Sequence, residues 1–369
     1  MIKKWYFCLS ESSMSRAHHG WADMVMAAVN SAIKNTDLKP YLLFDGEESP
    51  FLDVLREKGV TVIKHRVGFY NALQEREKSS PGYLSIASGA FLRTEIPLVE
   101  KEDEFVLYTD CDVVFLKNPD LKDCKPEFFA CAPQQSKTDY LNDANSGVLV
   151  INVKKMRETY EEFSRFIVAN LFAGWPGCDQ ENYRRFYRGK WDYLPLSMNW
   201  KPYWGLENEI DILHWHGPKP EAIFTKIKKP EIKLPEAWEI LHSYNKDAYT
   251  YFLNLWNDYV DVDFKMKTHG HIDRLSKKGL SGWVLYQFNQ DEPVELNFYV
   301  NGVFVGSTHS SNERADLKRI FGASIGGFEF KFPNFLEGRD YEVEIRDALK
   351  NPLEIKFGGV RSDCFLIAS

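Results

Sequence analysis

The stretch Glu104–Leu116, which reads EFVLYTDCDVVFL, decides the fold of the first part of the chain. Its apolar and aromatic run, Phe105–Thr109, predicts a buried strand that ends at Asp110-Cys111-Asp112. Ligands of open α/β sheets bind beyond the carboxyl ends of the strands, so two aspartates there are suited to hold a hard divalent ion. Because an Asp-x-Asp pattern is short and common, a solvated strand end is the alternative.

Strand-like and helix-like segments alternate before this stretch. They are a strand at residues 5–9, a helix at 21–33, a strand at 41–44, a helix at 50–55 and a strand at 60–63. This β-α-β-α-β order predicts a parallel sheet with helices on both faces. Further strands are expected at residues 128–132, 148–151 and 212–215, and further helices at 154–170, 179–188 and 247–259.

The pattern changes near residue 260, where short alternating runs and turn residues replace the helix and strand order. Asn301-Gly302 lies between two apolar runs and predicts a tight hairpin, because both turn positions favour positive φ. We therefore expect an α/β domain at residues 1–262 and a smaller all-β sandwich domain at residues 263–369.

The composition excludes several classes of protein. The 369 residues include 46 basic and 53 acidic ones, for a net charge of −7, so there is no overall basic field to bind a phosphodiester backbone. Nucleic acid is therefore not an expected partner. The hydrophobic share of 44% and the charged share of 27% are those of a globular protein, and no apolar run approaches the ~20 residues that cross a bilayer.

The cysteines and the first residues of the chain favour the cytoplasm. The six cysteines lie far apart, with no CxxC pair and no zinc-like spacing, and are expected to be reduced, buried thiols. The opening MIKKWYFCLS has too few apolar residues after its lysines to form a signal-peptide core.

Four further motifs follow the two aspartates. They are Asn145–Asn152 (NSGVLVIN), Asp179-Gln180, Leu194–Asn199 (LPLSMN) and Ile212–Pro220 (ILHWHGPKP). In this order the series resembles the motifs of family 8 glycosyltransferases, the glycogenin-like and bacterial lipopolysaccharide galactosyltransferase-like enzymes. The upstream segment Ile86–Arg93 (IASGAFLR) is similar to the segment of that family that has an arginine near the donor. The resemblance covers roughly the first 225 residues.

The resemblance implies a GT-A fold, which is a Rossmann-like nucleotide-sugar-binding domain, and a metal-dependent, retaining sugar transfer. Asp110 and Asp112 would bind Mn²⁺, or Mg²⁺ as the second choice, with His214 as the third protein ligand. His216 is the competing histidine. Donor diphosphate oxygens would complete a roughly octahedral shell, and the ion would offset the charge that grows on the departing nucleoside diphosphate.

The resemblance also implies roles around the donor. Lys219 and the backbone at Gly217 would contact the phosphates, and Arg93 would lie near the donor. Asn145 and Asp179 would bind hydroxyls of the transferred sugar. Gln180 would lie under the anomeric carbon, where an amide is a poor nucleophile, so front-face attack with the leaving phosphate as base is expected. A helix N-cap is the alternative role of Asp179.

The chain departs from the family pattern after its first strand. Relatives usually have an Asp and an Asn there to bind the base and the ribose, whereas this chain has Leu9–Ser13, which reads LSESS. Ser10 or Glu11 is therefore the candidate contact to the nucleotide, and UDP is the expected nucleotide.

The resemblance thus implies a hexosyltransferase that uses a UDP-sugar and a saccharide or glycolipid acceptor, in the synthesis of a bacterial surface polysaccharide or lipo-oligosaccharide. The first alternative is a non-catalytic glycan-binding protein with a decayed transferase domain. The second is a nucleotidyltransferase, which would need a Gly-rich, basic loop after the first strand. Residues 9–17 offer only Arg16 for that purpose.

Other segments carry weaker expectations. Lys226, Lys228, Lys229 and Lys233 form a basic stretch that would contact an anionic acceptor or the inner face of the cytoplasmic membrane, or would be a solvated loop. Trp175-Pro176-Gly177 would be an acceptor-binding lid or a packed loop. The second domain would serve first for self-association into a homo-oligomer and second for glycan binding.

Overall fold

The computed structural model describes residues 2–14, 21–173, 178–228, 230–260, 268–286, 292–321, 323–333, 341–346, 353, 355–357, 360–362 and 364–367. The chain divides into two compact units, Met1–Val260 and Asp261–Ser369. Among the described helices, none has the length and apolar character that crossing a bilayer requires.

Nine strands lie in the described residues of the first unit. They are β1 (Lys4–Ser10), β2 (Lys39–Asp45), β3 (Thr61–Lys64), β4 (Phe105–Thr109), β5 (Val113–Phe115), β6 (Phe129–Pro133), β7 (Ala144–Asn152), β8 (Asp192–Tyr193) and β9 (Ile212–His214). Seven of them form one sheet in the order β3-β2-β1-β4-β7-β6-β8. The other two, β5 and β9, pair antiparallel in a small separate sheet.

The parallel sheet predicted from the sequence is correct for only part of this sheet. Strands β3, β2, β1 and β4 are parallel, as the alternating pattern predicts. Strand β7 is antiparallel to both β4 and β6. The chain returns from β6 to β7 through the loop at residues 134–143, without the long crossover that a parallel pair needs. The strand expected at 212–215 is also displaced, because it pairs with β5 outside the main sheet.

Twelve α-helices lie in the same described part of the chain. They are α1 (Glu11–Met14), α2 (Trp21–Asn35), α3 (Pro50–Glu57), α4 (Tyr70–Ser79), α5 (Leu84–Phe91), α6 (Ile96–Val99), α7 (Val153–Glu158), α8 (Tyr160–Phe172), α9 (Asp179–Phe186), α10 (Pro220–Lys228), α11 (Glu236–Tyr244) and α12 (Lys246–Asn257). Short 3₁₀ helices lie at Leu92–Glu95, Leu196–Asn199 and Pro202–Trp204. The helix expected at 154–170 is divided at Thr159 into α7 and α8.

The helices of the first unit form where apolar residues recur at helical spacing. In α2, Val25, Ala28, Val29 and Ala32 are fully buried and fall on one face of the helix. The Asn152 side chain accepts a hydrogen bond from the backbone N–H of Lys155 at 3.1 Å and so caps the start of α7. Helices thus cover a sheet whose residues are largely buried, which confirms the predicted α/β class of this unit.

The second unit is built from two sheets and one described helix. Its strands are β10 (Thr268–Ser276), β11 (Gly279–Tyr286), β12 (Glu295–Val300), β13 (Val303–His309), β14 (Gly327–Lys331), β15 (Tyr341–Arg346), β16 (Ile355–Phe357), β17 (Val360–Ser362) and β18 (Cys364–Ile367), and its helix is α13 (Ala315–Phe321). The sheet orders are β14-β11-β10-β16-β17 and β13-β12-β15-β18. One apolar core joins side chains of both sheets, among them Ile272, Val284, Phe298 and Val343, which confirms the predicted sandwich.

One tight turn, one group of ion pairs and one aromatic cluster shape the second unit locally. Asn301 and Gly302 have φ values of 46° and 75° and close the hairpin between β12 and β13. Arg314 donates to Asp273 and, through two nitrogens, to Asp316, at 2.6–2.8 Å, and so ties β10 to the start of α13. Trp283 packs against Phe321 and thus belongs to a small aromatic cluster.

Each of the six cysteines is a thiol rather than part of a disulfide. Only Cys8 and Cys131 are buried, and the other four are partly exposed, so the prediction of buried thiols was wrong for those four. Cys8 and Cys131 lie inside β1 and β6 of the main sheet. Of the other four, Cys111 lies in the turn between β4 and β5, and Cys364 is the first residue of β18.

Candidate active site

The candidate site lies at the carboxyl ends of β1 and β4. Ser10 is the last residue of β1, and Asp110 directly follows β4. The small β5–β9 sheet then brings the second aspartate to a histidine, since Val113 pairs with His214 and the backbone N–H of Trp215 donates to the carbonyl of Asp112 at 2.8 Å. The backbone N–H of Asp110 donates to the carbonyl of Gly147 at 2.8 Å, which fixes the site to β7.

Asp110, Asp112 and His214 form a group that could hold a metal ion. One ligand atom from each residue lies within 4.8 Å of the other two. The Nε2 atom of His214 is 3.3 Å from Oδ1 of Asp112 and 3.9 Å from Oδ2 of Asp110. Two carboxylates and an imidazole are a donor set that suits Mn²⁺ or Mg²⁺.

Asp112 has one oxygen without a donor. Its Oδ1 is buried and accepts no hydrogen bond from the described residues. Its Oδ2 is held by the Lys219 ammonium, which also donates to the carbonyl of Trp215 at 2.9 Å. Burial alone would raise the pKa of the Asp112 carboxyl, but Lys219 and His214 hold that pKa well below its ordinary value. The oxygen that faces the ligand group is therefore a charged, buried acceptor, which is the environment that a cation satisfies.

Gly147 provides the space on the other side of this group. A Cβ atom built on it would lie 2.2 Å from Cε1 of His214 and 2.9 Å from Oδ2 of Asp110. Any side chain at this position would displace two of the three candidate ligands. The residues present therefore fit a small cation both in donor chemistry and in packing.

A buried arginine joins two carboxylates of the site. Arg93 donates to Oδ1 of Asp110 at 2.7 Å and lies 3.1 Å from Oδ2 of Asp179. The same guanidinium donates to the carbonyl and hydroxyl of Ser146 at 2.6 and 3.0 Å. Tyr108 also donates to Oδ1 of Asp110, at 2.7 Å. Asp110 Oδ1 is thereby saturated, and Oδ2 remains toward His214.

The helix N-terminus considered for Asp179-Gln180 is present, because Asp179 is the first residue of α9, but the N-cap position of that helix is Cys178. The carboxylate instead accepts a hydrogen bond from the Ser146 hydroxyl at 2.9 Å and pairs with Arg93. Burial raises the pKa of the Asp179 carboxyl, and the Arg93 charge acts in the opposite direction.

Gln180 and Asn145 are held in a network of amides. Oε1 of Gln180 accepts from Nδ2 of Asn145 at 2.9 Å and from the backbone N–H of Ser146 at 3.1 Å. Nε2 of Gln180 donates to Oε1 of Gln134. The predicted sugar-binding residues Asn145, Asp179 and Gln180 thus lie together, beside the group of candidate metal ligands.

Ser10 lies within a cluster of hydroxyl groups. Its Oγ is 2.9 Å from Oγ of Ser88 and 2.7 Å from Oγ of Ser13, and the residue is 1% exposed. Glu11 is exposed, and its carboxylate accepts a hydrogen bond from the backbone N–H of Glu47 at 2.9 Å. Of these two candidates for nucleotide contact, only Glu11 presents its side chain to solvent.

The motif around His214 also places the phosphate-binding candidates. Gly217 has a φ of 87° in the turn after β9, where a Cβ would lie 2.6 Å from Cδ1 of Leu241. Lys219 lies just before α10, at the start of which the backbone N–H of Ile223 donates to its carbonyl at 3.0 Å. His216 points elsewhere, with Nδ1 3.1 Å from the Tyr203 hydroxyl.

Of the two segments predicted to contact other molecules, the structure describes part of the basic stretch and none of the tryptophan segment. Lys226 pairs with Glu239 at 2.6 Å, and Lys229 lies outside the described residues. The segment Trp175-Pro176-Gly177 also lies outside them.

Sequence reasoning assigned no role to Gly147 and Asn199, although both lie inside motifs that it identified. Oδ1 of Asn199 is 2.9 Å from Nδ1 of His214, and the residue is fully buried. Nothing in the spacing shows that Asn199 and His214 meet, because the contact depends on the 3₁₀ turn Leu196–Asn199 lying beside β9. The available signal was that Gly147 lies within the motif Asn145–Asn152 and that Asn199 is the last residue of the motif Leu194–Asn199.

No protein-family model and no curated protein match the chain. Solved structures do match it. The glycosyltransferase GlyE of Streptococcus pneumoniae, in its apo form, is 18% identical with a TM-score of 0.45, and the match covers 70% of this chain and 64% of that one. The galactosyltransferase LgtC, in complex with donor and acceptor sugar analogues, is 17% identical with a TM-score of 0.45, over 64% and 99% of the two chains.

Mouse xyloside xylosyltransferase 1 also matches, at 16% identity and a TM-score of 0.41, over 58% of this chain and 97% of that one. The chain thus spans slightly less than two thirds of GlyE and nearly all of LgtC. All three are named as sugar transferases. The TM-scores of all three matches lie below 0.5.

Proposed function

We propose that this chain is a metal-dependent, retaining glycosyltransferase that transfers a hexose from a UDP-sugar to a saccharide or glycolipid acceptor. The observation that carries the proposal is the convergence of Asp110, Asp112 and His214 at the carboxyl ends of the strands, with a buried, charged oxygen of Asp112 that has no donor among the described residues. This is where open α/β sheets bind ligands.

The charges of the site suit a cation and then a diphosphate. The three carboxylates of Asp110, Asp112 and Asp179 face the two cations Arg93 and Lys219, which leaves a formal charge of −1. When bound, Mn²⁺ or Mg²⁺ supplies two positive charges that stabilise the developing charge on the leaving diphosphate. Lys219 adds a fixed cation beside Asp112.

The phosphate end of the donor is assigned to the residues after β9. The turn at Gly217 brings backbone close to the site, and Lys219 precedes the nine-residue helix α10. A helix N-terminus and an ammonium group together favour a doubly charged phosphate. Glu11, or Ser10 after a change in its hydroxyl partners, is assigned to the nucleoside.

The sugar end is assigned to Asn145, Asp179 and Gln180. Oε1 of Gln180 already accepts two hydrogen bonds from protein groups, which occupy both of its lone pairs. An amide held in this way orients the sugar and does not attack the anomeric carbon. Front-face attack by the acceptor, with the leaving phosphate as base, is therefore the proposed course of the retaining reaction.

Three parts of the proposal rest on the sequence resemblance alone. They are the identity of the nucleotide as UDP, the nature of the acceptor, and the place of the reaction in the synthesis of a bacterial surface polysaccharide or lipo-oligosaccharide. Specificity for the acceptor depends on the shape of a pocket rather than on the fold.

The experiment is a thermal-shift titration of the full chain with a panel of nucleotide sugars, with and without Mn²⁺, because a ligand of the native state raises the melting temperature. We expect one UDP-sugar to stabilise the protein, and only when Mn²⁺ is present. Mass spectrometry of the stabilising mixture then tests whether UDP is released. If no nucleotide sugar stabilises the protein, the transferase proposal is wrong, and binding of glycans without catalysis becomes the better explanation.

A further inference from the structure

Oδ1 of Asn199 lies 2.9 Å from Nδ1 of His214, on the side of the imidazole ring opposite the candidate metal ligands. Both residues are buried, at 0% and 2% exposure. The partner of a ligand histidine decides which ring nitrogen carries the proton and which is left to bind a metal. The question is therefore which atom of the Asn199 amide faces the ring.

The answer follows from a chain of four amides that ends at His214. Asn199 donates through Nδ2 to Oδ1 of Asn145 at 2.9 Å, Asn145 donates through Nδ2 to Oε1 of Gln180 at 2.9 Å, and Gln180 donates to Gln134. In this series of hydrogen bonds, the NH₂ group of each of the three donating amides points away from His214.

Two backbone groups fix that direction, because a backbone N–H can only donate. The N–H of Gly147 donates to Oδ1 of Asn145 at 3.2 Å, and the N–H of Ser146 donates to Oε1 of Gln180 at 3.1 Å. If either amide were reversed, an NH₂ group would face an N–H group in a buried place. The oxygen of Asn145 therefore requires the NH₂ group of Asn199, which turns the oxygen of Asn199 to His214.

An oxygen at Nδ1 requires a proton on that nitrogen. Nε2 of His214 then has a free lone pair, and it points at Oδ1 of Asp112 and Oδ2 of Asp110. We infer that Asn199 is a positioning residue, which the amide chain from Ser146 and Gly147 orients so that His214 presents Nε2 as a metal ligand. This inference rests on the proposed metal site and adds to it a residue that touches neither metal nor sugar.

The test measures Mn²⁺ affinity by the electron paramagnetic resonance of free Mn²⁺, with the full chain and no donor. We expect Asn199→Ala to weaken Mn²⁺ binding by about 10–100-fold, as for other partners of ligand histidines. Asn199→Asp keeps an acceptor for Nδ1 and should lose less affinity than Asn199→Ala. Ser197→Ala is the matched control, because it changes a hydrogen bond to Asp211 in the same 3₁₀ turn and should bind Mn²⁺ as the unchanged chain does.

A second readout does not depend on metal. In metal-free protein with ¹⁵N-labelled histidine at pH 8, the ring-nitrogen shifts of His214, assigned by loss of the signal in His214→Gln, should show that Nδ1 carries a proton in the unchanged chain, whether or not the nearby Asp112 carboxylate also holds one on Nε2. Asn199→Ala should leave Nδ1 without a proton in some or all of the molecules.

The outcomes separate this inference from the proposed function. If the unchanged chain fails to bind Mn²⁺, the metal site itself is wrong. If it binds Mn²⁺ and Asn199→Ala changes neither the affinity nor the tautomer, the positioning role of Asn199 is wrong and the metal site stands. Should Asn199→Ala fail to fold, the unchanged chain decides the question by itself, and an Nδ1 of His214 without a proton would overturn the role.

Discussion

Gly147 and His214 pack so closely that a Cβ atom on the glycine would lie 2.2 Å from Cε1 of the imidazole ring. Both residues lie in sequence motifs, but only the fold brings β7 and β9 to the same place. The contact explains why the residue at 147 has no side chain, although its φ is not one that requires glycine.

Gly147→Ala is therefore expected to displace His214 and Asp110 together. We predict a loss of Mn²⁺ affinity of about 10–100-fold or more, the range found when the surroundings of metal ligands are changed. Titration calorimetry with Mn²⁺ measures this loss. Gly189→Ala is the control, because its φ is 71° with no atom within 4 Å, so it should lower stability without changing Mn²⁺ affinity. Equal affinities in both variants would contradict the prediction.

Asp112→Asn tests the candidate metal ligand whose buried Oδ1 accepts no hydrogen bond from the described residues. The change keeps the shape of the side chain and removes its charge, so we expect Mn²⁺ affinity to fall by more than about 100-fold, beyond the loss for residues that only support a ligand. Donor-dependent turnover should disappear while the circular dichroism spectrum is unchanged. Asp211→Asn is the control, because the Asp211 carboxylate lies just before β9 and accepts a hydrogen bond from the Ser197 hydroxyl. This variant should keep both its Mn²⁺ affinity and its turnover. Full turnover of Asp112→Asn at saturating Mn²⁺ would exclude Asp112 as a ligand.

The lowered pKa of Glu100 makes the stability of the protein depend on pH. Burial acts to raise the pKa of this carboxyl, but the backbone N–H groups of Asp103 and Glu102, the Tyr6 hydroxyl and Lys4 together lower it from 4.5 to about 2. Because the pKa is lower in the folded state, the stabilisation is complete above pH 4.5 and is lost as the pH falls toward 2.

Glu100→Gln should remove this dependence. We expect a loss of about 1–3 kcal/mol in the free energy of unfolding at pH 7, since the hydrogen bonds from Tyr6, Lys4 and two backbone N–H groups lose their charged acceptor, and a flatter curve between pH 4.5 and 2. Glu102→Gln is the matched control, because Glu102 also pairs with Lys4, at 2.7 Å, but is exposed. It should change the free energy of unfolding by less than about 1 kcal/mol. Urea titrations at several pH values decide the matter, and parallel curves for Glu100→Gln and the unchanged chain would refute the role of Glu100.

Gly282→Ala tests the second unit. A Cβ at this position would lie 2.2 Å from the backbone oxygen of His271, so β10 and β11 could not keep their spacing. We expect the second unit to be destabilised by about 1–3 kcal/mol, as for other overpacked positions. Hydrogen exchange of the β10 and β11 amides measures the effect, with Ser281→Ala as the neighbouring control. Unchanged protection of those amides would contradict this account of the glycine.

The sequence predicted those parts of the fold that depend on local patterns. Alternating apolar segments gave the parallel strands β1 to β4 and their helices, and Asn301-Gly302 gave the hairpin of the second unit. The antiparallel placement of β7 was missed, because a buried strand has the same apolar pattern in either direction. The division between α7 and α8 was missed because both helices continue one amphipathic pattern across Thr159.

For the site, the motifs were enough to identify the candidate metal ligands, but not the residues that make room for them or orient them. Asp110, Asp112 and His214 could be named from their types and from the family resemblance, and the structure brings their ligand atoms within 4.8 Å. The roles of Gly147 and Asn199 depend on contacts across 67 and 15 residues of sequence, respectively, to His214, and no single sequence carries that information.

The most direct test of the central claim is an anomalous-scattering map, at the Mn absorption edge, of crystals of the full chain grown with Mn²⁺ and UDP. The account predicts one strong peak within coordination distance of Oδ2 of Asp110, Oδ1 of Asp112 and Nε2 of His214, with the diphosphate of UDP on its open side toward Lys219. A map with no peak among these three atoms, in crystals where UDP is bound, would contradict it.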